Sequence, residues 1–184
     1  MMKVNWVLSN SVGLDPTVPV ERLKDVGSTW GGWKTWRSCQ TDNVVCNDVT
    51  KARELITRNF QKQCNFYIPQ SSFVMLDRPP DIKLYEGAFQ HEVDDHDEIV
   101  AMHLASSVSD LVLLLGFSWG QEEKSTDRIT QHKKHNYTSL VKQIIIDAPN
   151  TQWILIDHKN PLREEFANLP NLTVDSLEEV FNLL

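Results

Sequence analysis

The chain lacks most of the features that identify a function directly. Its three cysteines, Cys39, Cys46 and Cys64, form no C-x-x-C pair and match no zinc spacing, and their odd number argues against a disulfide framework. The longest apolar block, residues 111–117, is far too short to cross a bilayer, and no signal peptide is recognisable. The sequence therefore predicts a cytoplasmic protein without membrane association, in which Cys46 is a buried, inert thiol.

Two common nucleotide-binding motifs are also absent. No Walker phosphate loop occurs, and residues 116–120 contain two glycines without the spacing of a G-x-G-x-x-G fingerprint. Positive charge is scarce, because 18 Lys and Arg residues are outnumbered by 25 Asp and Glu residues, for a net charge of −7. This balance argues against a broad nucleic-acid surface, although single cations could hold one or two phosphate groups.

What is present is typical of one globular α/β domain, residues 1–184. Of the 184 residues, 41% are apolar and 23% charged, which is ordinary for a chain that buries its own core. Short apolar runs predict about five strands, and residues 172–174 form a candidate sixth. The five strands are residues 4–8, 43–46, 65–68, 110–117 and 152–157.

Segments with helical spacing lie between these runs. Helices are predicted after Asp48, after Asp97, near Asn136, after Asn160-Pro161, and after Asp175, where Glu178 completes a capping box. The alternation predicts a three-layer Rossmann-like or flavodoxin-like fold with a mainly parallel sheet. Residues 70–96 and 118–135 do not fit the alternation and are predicted to be long loops.

An acidic run occupies residues 92–98, with His91 directly before it and His96 within it. Its oxygen atoms could hold a divalent cation, but such a run is more typical of a solvated loop that leads into a helix. The positive N-terminal end of that helix would favour Asp97 and Glu98. No metal site is predicted.

Residues 30–43, here called the Trp-rich segment, carry the most distinctive chemistry. They contain Trp30, Trp33 and Trp36, two cations, a glycine pair and an Asp-Asn, without a clear helical or strand period. Glycine disfavours regular structure, while Trp and Arg supply groups that bind ligands. A binding site is one interpretation; a helical face of tryptophans packed on the sheet is the other.

Ligands of open α/β sheets bind at the carboxyl ends of the strands. This rule predicts a site from Asn10, Trp33, Arg37, Asp48, Ser118, Asp157 and His158. In it Asn10 would hydrogen-bond the ligand, Trp33 would stack on a ring, and Arg37 would hold an anionic group. Asp48 or Asp157 would engage ribose hydroxyls. Four of these residues also have a structural interpretation. Asp48 could be a helix N-cap and Arg37 a surface cation, while Asp157 and His158 could simply be polar residues at the end of a strand.

Three stretches carry a family resemblance: Asn5-Trp-Val-Leu8, residues 29–45 around the Trp-rich segment, and residues 99–105. They resemble an uncharacterised conserved protein family of T4-type bacteriophages and their marine relatives. The resemblance implies a small protein made in the cytoplasm of an infected bacterium. It implies no activity, substrate or site residue.

Three functions are compatible with these residues. The first is binding of a nucleotide or nucleotide-derived metabolite, a small anionic molecule with a ring. The second is a nucleotide hydrolase, nucleosidase or transferase on the same scaffold, with Asp48, Asp157 or His158 as catalytic candidates. The third is an interaction module for a host protein or other macromolecule, which would need an exposed tryptophan patch. The sequence leaves open whether a reaction occurs and which cofactor would serve it.

Overall fold

A computed structural model describes residues 2–9, 20–86, 97–117, 128–156 and 164–184 of the chain. These residues form a single eight-stranded sheet in which every neighbouring pair is parallel. The strands are β1 Val4–Leu8, β2 Ser28–Gly32, β3 Asn43–Val45, β4 Asn65–Pro69, β5 Lys83–Tyr85, β6 Leu111–Leu115, β7 Gln152–Ile156 and β8 Leu172–Asp175.

The spatial order of the strands is β5-β4-β3-β2-β1-β6-β7-β8. The chain therefore builds outward from β1 in one direction as far as β5, returns to the other side of β1, and builds outward again from β6 to β8. The order reverses between β1 and β6, where Leu8 is paired with Leu115. All carboxyl ends of the strands lie along one edge, which we call the carboxyl edge.

Helices connect the strands, as parallel pairing requires. They are α1 Val20–Val26, α2 Trp33–Cys39, α3 Val49–Thr57, α4 Gln70–Met75, α5 Asp97–Ser106, α6 Arg128–Asp147, α7 Glu164–Ala167 and α8 Leu177–Leu183, with a 3₁₀ turn at Phe60–Lys62. No helix in the described ranges is both long and apolar enough to cross a membrane.

Apolar side chains are buried on both faces of the sheet, because residues alternate between the faces along each strand. In β1, Val7 packs in a cluster with α5 and α6, whereas Trp6 and Leu8 pack on the opposite face with Leu23 of α1. A third cluster, around Phe66, joins β3 and β4 to α2 and α3. Continuous apolar strands such as β6 are the expected result of cover on both sides.

The predicted α/β class with a mainly parallel sheet is confirmed, but about five strands was too few. The candidate at residues 172–174 is a strand, and two further strands, β2 and β5, were missed. Strand β2 has the sequence Ser-Thr-Trp-Gly-Gly, and β5 has only three residues, Lys-Leu-Tyr. Neither has the apolar run that marks the other strands.

Three segments interpreted as irregular are partly regular. The Trp-rich segment supplies the end of β2 and all of α2, so its tryptophans do not share one helical face. The predicted loop at residues 70–96 contains α4 and β5, and the predicted loop at residues 118–135 includes the start of α6. The acidic run before Asp97 lies outside the described residues.

The predicted helix starts are correct for α3 and α5, whereas α6 begins at Arg128, ahead of the predicted start near Asn136. Asp48 caps α3, since its carboxylate accepts hydrogen bonds from the backbone N–H groups of Thr50 and Lys51 at 2.8 and 3.0 Å. The C-terminal capping box exists one residue later than predicted, formed by Ser176 and Glu179 rather than by Asp175 and Glu178. The hydroxyl of Ser176 accepts from the Glu179 N–H, a geometry that serine reaches as well as aspartate.

Candidate functional site

Helix α2 begins directly where β2 ends, which brings Trp33 to the carboxyl edge. Gly32 precedes the helix in an extended conformation, and the helix ends at Gln40, whose φ is 47°. Thr35 and Cys39, four residues apart, are buried, while Trp33 and Trp36 point towards α3 and its cluster. Local spacing thus turns two tryptophans of the Trp-rich segment to one side of α2.

A pocket of about 340 Å³ lies between α2 and α3, and we call it the α2–α3 pocket. Its lining combines aromatic, cationic and polar side chains: Trp33, Trp36, Arg37, Lys51, Glu54, Leu55, Arg58, Phe60 and Gln63. Two of the predicted ligand-binding residues, Trp33 and Arg37, therefore meet in one cavity. No residue of β1 or β6 lines this cavity, so it is separate from the β1–β6 reversal point that fold-level reasoning favours.

Three cations surround the indole ring of Trp33. The ammonium of Lys51 lies 4.5 Å from the ring centroid, the ammonium of Lys34 5.9 Å, and the guanidinium carbon of Arg37 6.0 Å. Such cation–π contacts are worth about 0.5–1 kcal/mol each at exposed sites. Since Trp33 is half-buried and Arg37 exposed, both ring and charge are accessible to a ligand.

Glu54 is the one carboxylate in the lining of this pocket. It forms ion pairs with Lys51 at 2.6 Å and with Arg58 at 3.0 Å. The hydrogen bond from Lys51, with the charges of Arg58 and Arg37, holds the pKa of Glu54 below its ordinary value. Three cations and one carboxylate give the lining a positive charge in a protein whose net charge is −7.

The other two tryptophans of the segment contribute mainly to packing. Trp30 is only 5% exposed and lies 5.2 Å from the ring of Tyr67. Trp36 makes an edge-on contact with Phe60 at 4.5 Å. Such pairs add about 1 kcal/mol beyond the burial of their area. Burial of Trp30 argues against a docking surface made from all three tryptophans.

Asp48 is a helix cap whose carboxylate lies outside the lining of the α2–α3 pocket. Because it fixes the first turn of α3, it helps to position Lys51. The remaining predicted site residues, Asn10, Ser118, Asp157 and His158, lie outside the described residues. Among the residues that the structure describes, His, Cys, Asp and Glu side chains form no group of three suited to a metal ion.

Sequence reasoning missed Asp97 as a residue of the carboxyl edge. Its carboxylate accepts a hydrogen bond of 2.8 Å from the backbone N–H of Asn47, which follows β3. The Asn47 side-chain oxygen in turn accepts from the hydroxyl of Tyr85 at the end of β5. A Cβ on Gly32 would lie 2.8 Å from that of Asp97, so only glycine admits this approach. No sequence pattern indicated this contact, because Gly32 and Asp97 are far apart in the sequence.

The environment of Asp97 disfavours its charge. Burial raises its pKa to about 7; the bond from Asn47 opposes this shift, and the neighbouring charge of Glu98 adds to it. Burial also raises the pKa of Glu98. Asp97 thus exchanges a proton near neutral pH, a property of acid–base groups and of structural buried carboxyls alike.

Comparison with known proteins gives no family. No protein-family model, curated protein or solved structure matches the chain.

Proposed function

We propose that the protein binds a nucleotide or nucleotide-derived metabolite in the α2–α3 pocket. The observation that carries the proposal is an accessible indole with cations around it: Lys51 lies 4.5 Å and Arg37 6.0 Å from the Trp33 ring, all lining one cavity. A planar base can stack on indole, while a guanidinium or ammonium group holds a phosphate.

The charge distribution supports an anionic ligand. A positive pocket on an acidic protein concentrates anions locally, whereas the surrounding negative surface disfavours long polyanions such as nucleic acid. The strand order supports a Rossmann-like assignment, because it runs outward from β1 in both directions. Binding in the cytoplasm of a phage-infected bacterium is part of the proposal, and its support is the sequence resemblance alone.

Binding is tested by calorimetry with a panel of nucleosides, nucleotides and dinucleotides. We expect at least one nucleotide to bind, and Arg37→Gln to weaken that binding by about tenfold, or ~1.4 kcal/mol, through loss of one charge-assisted contact. The matched control is Arg53→Gln, since Arg53 lies on α3 but lines a separate hollow with Met75 and Asp77. Absence of binding across the whole panel would contradict the proposal.

The same panel separates the other two functions. Chromatography of the incubated nucleotides would reveal a processing enzyme through product formation. An interaction module would bind none of the compounds. Added nucleotide would then leave the thermal stability of both the wild type and Arg37→Gln unchanged.

A further inference from the structure

The α2–α3 pocket contains an ion-pair triad on the face of α3 that lines the pocket. Lys51, Glu54 and Arg58 are spaced three and four residues apart, so their side chains meet on one side of the helix. Glu54 bridges the two cations, at 2.6 Å to Lys51 and 3.0 Å to Arg58. Lys51 also lies over the Trp33 ring, which connects the triad to the stacking surface.

The triad is accessible and easily rearranged. The side chains of Lys51, Glu54 and Arg58 are 23%, 40% and 73% exposed. Ion pairs with this exposure contribute only about 0–1 kcal/mol to stability. An incoming anion that contacts both cations can therefore replace the Glu54 carboxylate at little energetic cost.

We propose that Glu54 holds Lys51 and Arg58 until a terminal phosphate monoester displaces it, and that these two cations, with the Trp33 ring, make a mononucleotide the preferred ligand. This inference rests on the proposed function and names its substrate class. With Arg37, Lys51 and Arg58 opposed by Glu54 alone, the lining has an excess of two positive charges. A phosphate monoester carries a charge of about −1.5 to −2 at neutral pH and balances that excess. A neutral nucleoside leaves it unbalanced.

The size of the pocket favours one nucleotide over two. Its volume of about 340 Å³ lies near the lower end of the range of roughly 300–1,000 Å³ found for small-molecule sites. A dinucleotide would have to leave one half in solvent, where Trp33 could stack only on the base that enters. The size and the charge of the pocket therefore both favour a mononucleotide.

The test is calorimetry of wild type and Glu54→Gln with three probes: adenosine 5′-monophosphate, adenosine, and a dinucleotide of two adenosines. At low ionic strength we expect Glu54→Gln to bind the monophosphate about tenfold more tightly, because the competing carboxylate is gone. Affinity for adenosine should change less than twofold, since stacking does not involve Glu54. Wild type should prefer the monophosphate to both other probes.

The matched control is Glu21→Gln, which removes an equal charge from an i, i+3 ion pair on α1, 3.5 Å from Lys24. It should leave all three affinities unchanged. If wild type binds adenosine and its monophosphate equally, or if Glu54→Gln binds the monophosphate no better, the inference about Glu54 is wrong while the binding function stands. If none of the three probes binds wild type or variant, the inference about Glu54 fails, and the wider nucleotide panel decides whether the binding function stands.

Discussion

At the scale of single residues, Gly32 and Asp97 depend on each other. The glycine leaves room for the carboxyl group of Asp97. That carboxyl group accepts a hydrogen bond from the backbone N–H of Asn47, which follows β3. Gly32 has φ −76° and ψ 165°, an extended backbone that any residue adopts. Its identity is therefore required by space rather than by backbone conformation.

A dependence of stability on pH follows from Asp97. Its pKa is about 7 when folded and 3.8 in the unfolded chain, so the folded protein binds the proton more tightly and ΔG of unfolding falls as pH rises through this window. Between about pH 5.5 and about pH 8 we expect wild type to lose about 2 kcal/mol relative to Asp97→Asn. Urea unfolding at the two pH values measures the difference.

Asparagine is a suitable replacement because its side-chain oxygen can still accept from the Asn47 N–H. Comparison with this variant also removes the contribution of Glu98, because burial, the main cause that raises the pKa of Glu98, does not depend on the charge of Asp97. If the wild-type and Asp97→Asn curves stay parallel across the pH range, the carboxyl group at Asp97 is not held in its protonated form.

At the scale of elements, the capping of α3 affects both stability and the pocket. Asp48 accepts from two backbone N–H groups, and the helix it starts carries Lys51, Glu54 and Leu55 into the pocket lining. A nine-residue helix is too short to be stable alone, so its cap and its packing on Phe66 and Ile68 must hold it.

We expect Asp48→Ala to lower the free energy of unfolding by about 1 kcal/mol, because two helix donors lose their acceptor. Asp48→Asn keeps an acceptor oxygen at the cap and should lose only a small part of that energy. Thermal or urea denaturation of both variants gives the comparison. An equal loss in both would point to the charge of Asp48 rather than to its hydrogen bonds.

The elements also differ in how far sequence could predict them. Strands β1 and β6 are continuous apolar runs buried on both faces, and such runs are visible in the sequence. Strand β2 is different, since its fit depends on Gly31 lying against Thr35 and on Gly32 lying against Asp97. The contact of Gly32 with Asp97 joins residues far apart in the sequence, so no local period indicates the strand.

Only part of the proposed site was predicted from the sequence. Trp33 and Arg37 were identified from their chemistry, and four residues of helix spacing bring them to one cavity. Lys51, Glu54 and Arg58 were not identified, because a charged helix face is usually solvated. What makes this face distinctive is that α2 packs beside it with its indole.

At the scale of the whole molecule, the described residues share one sheet and a core that spans it. The largest apolar cluster includes Trp30 of β2, Leu114 of β6 and Trp153 of β7, so residues on both sides of the β1–β6 reversal point are packed together. A core of this kind couples the two halves. Neither half can open without exposing apolar side chains of the other.

We therefore expect a single unfolding transition. Far-UV circular dichroism, which follows the helices, and tryptophan fluorescence, which follows the buried rings of Trp6, Trp30 and Trp153, should give the same urea midpoint. The variant Trp153→Phe should lower both midpoints together. Two separated midpoints would mean that the halves unfold independently and that the chain contains more than one cooperative unit.

The central position of β1 has a consequence for synthesis on the ribosome. Strand β1 emerges more than a hundred residues before its neighbour β6. It also precedes Asp110, whose carboxylate accepts from the Lys3 N–H across a separation of 107 residues. Until then the apolar flank of β1 has no permanent cover. A nascent chain stalled before β6 should therefore be captured by chaperones, and one stalled after β7 should escape them.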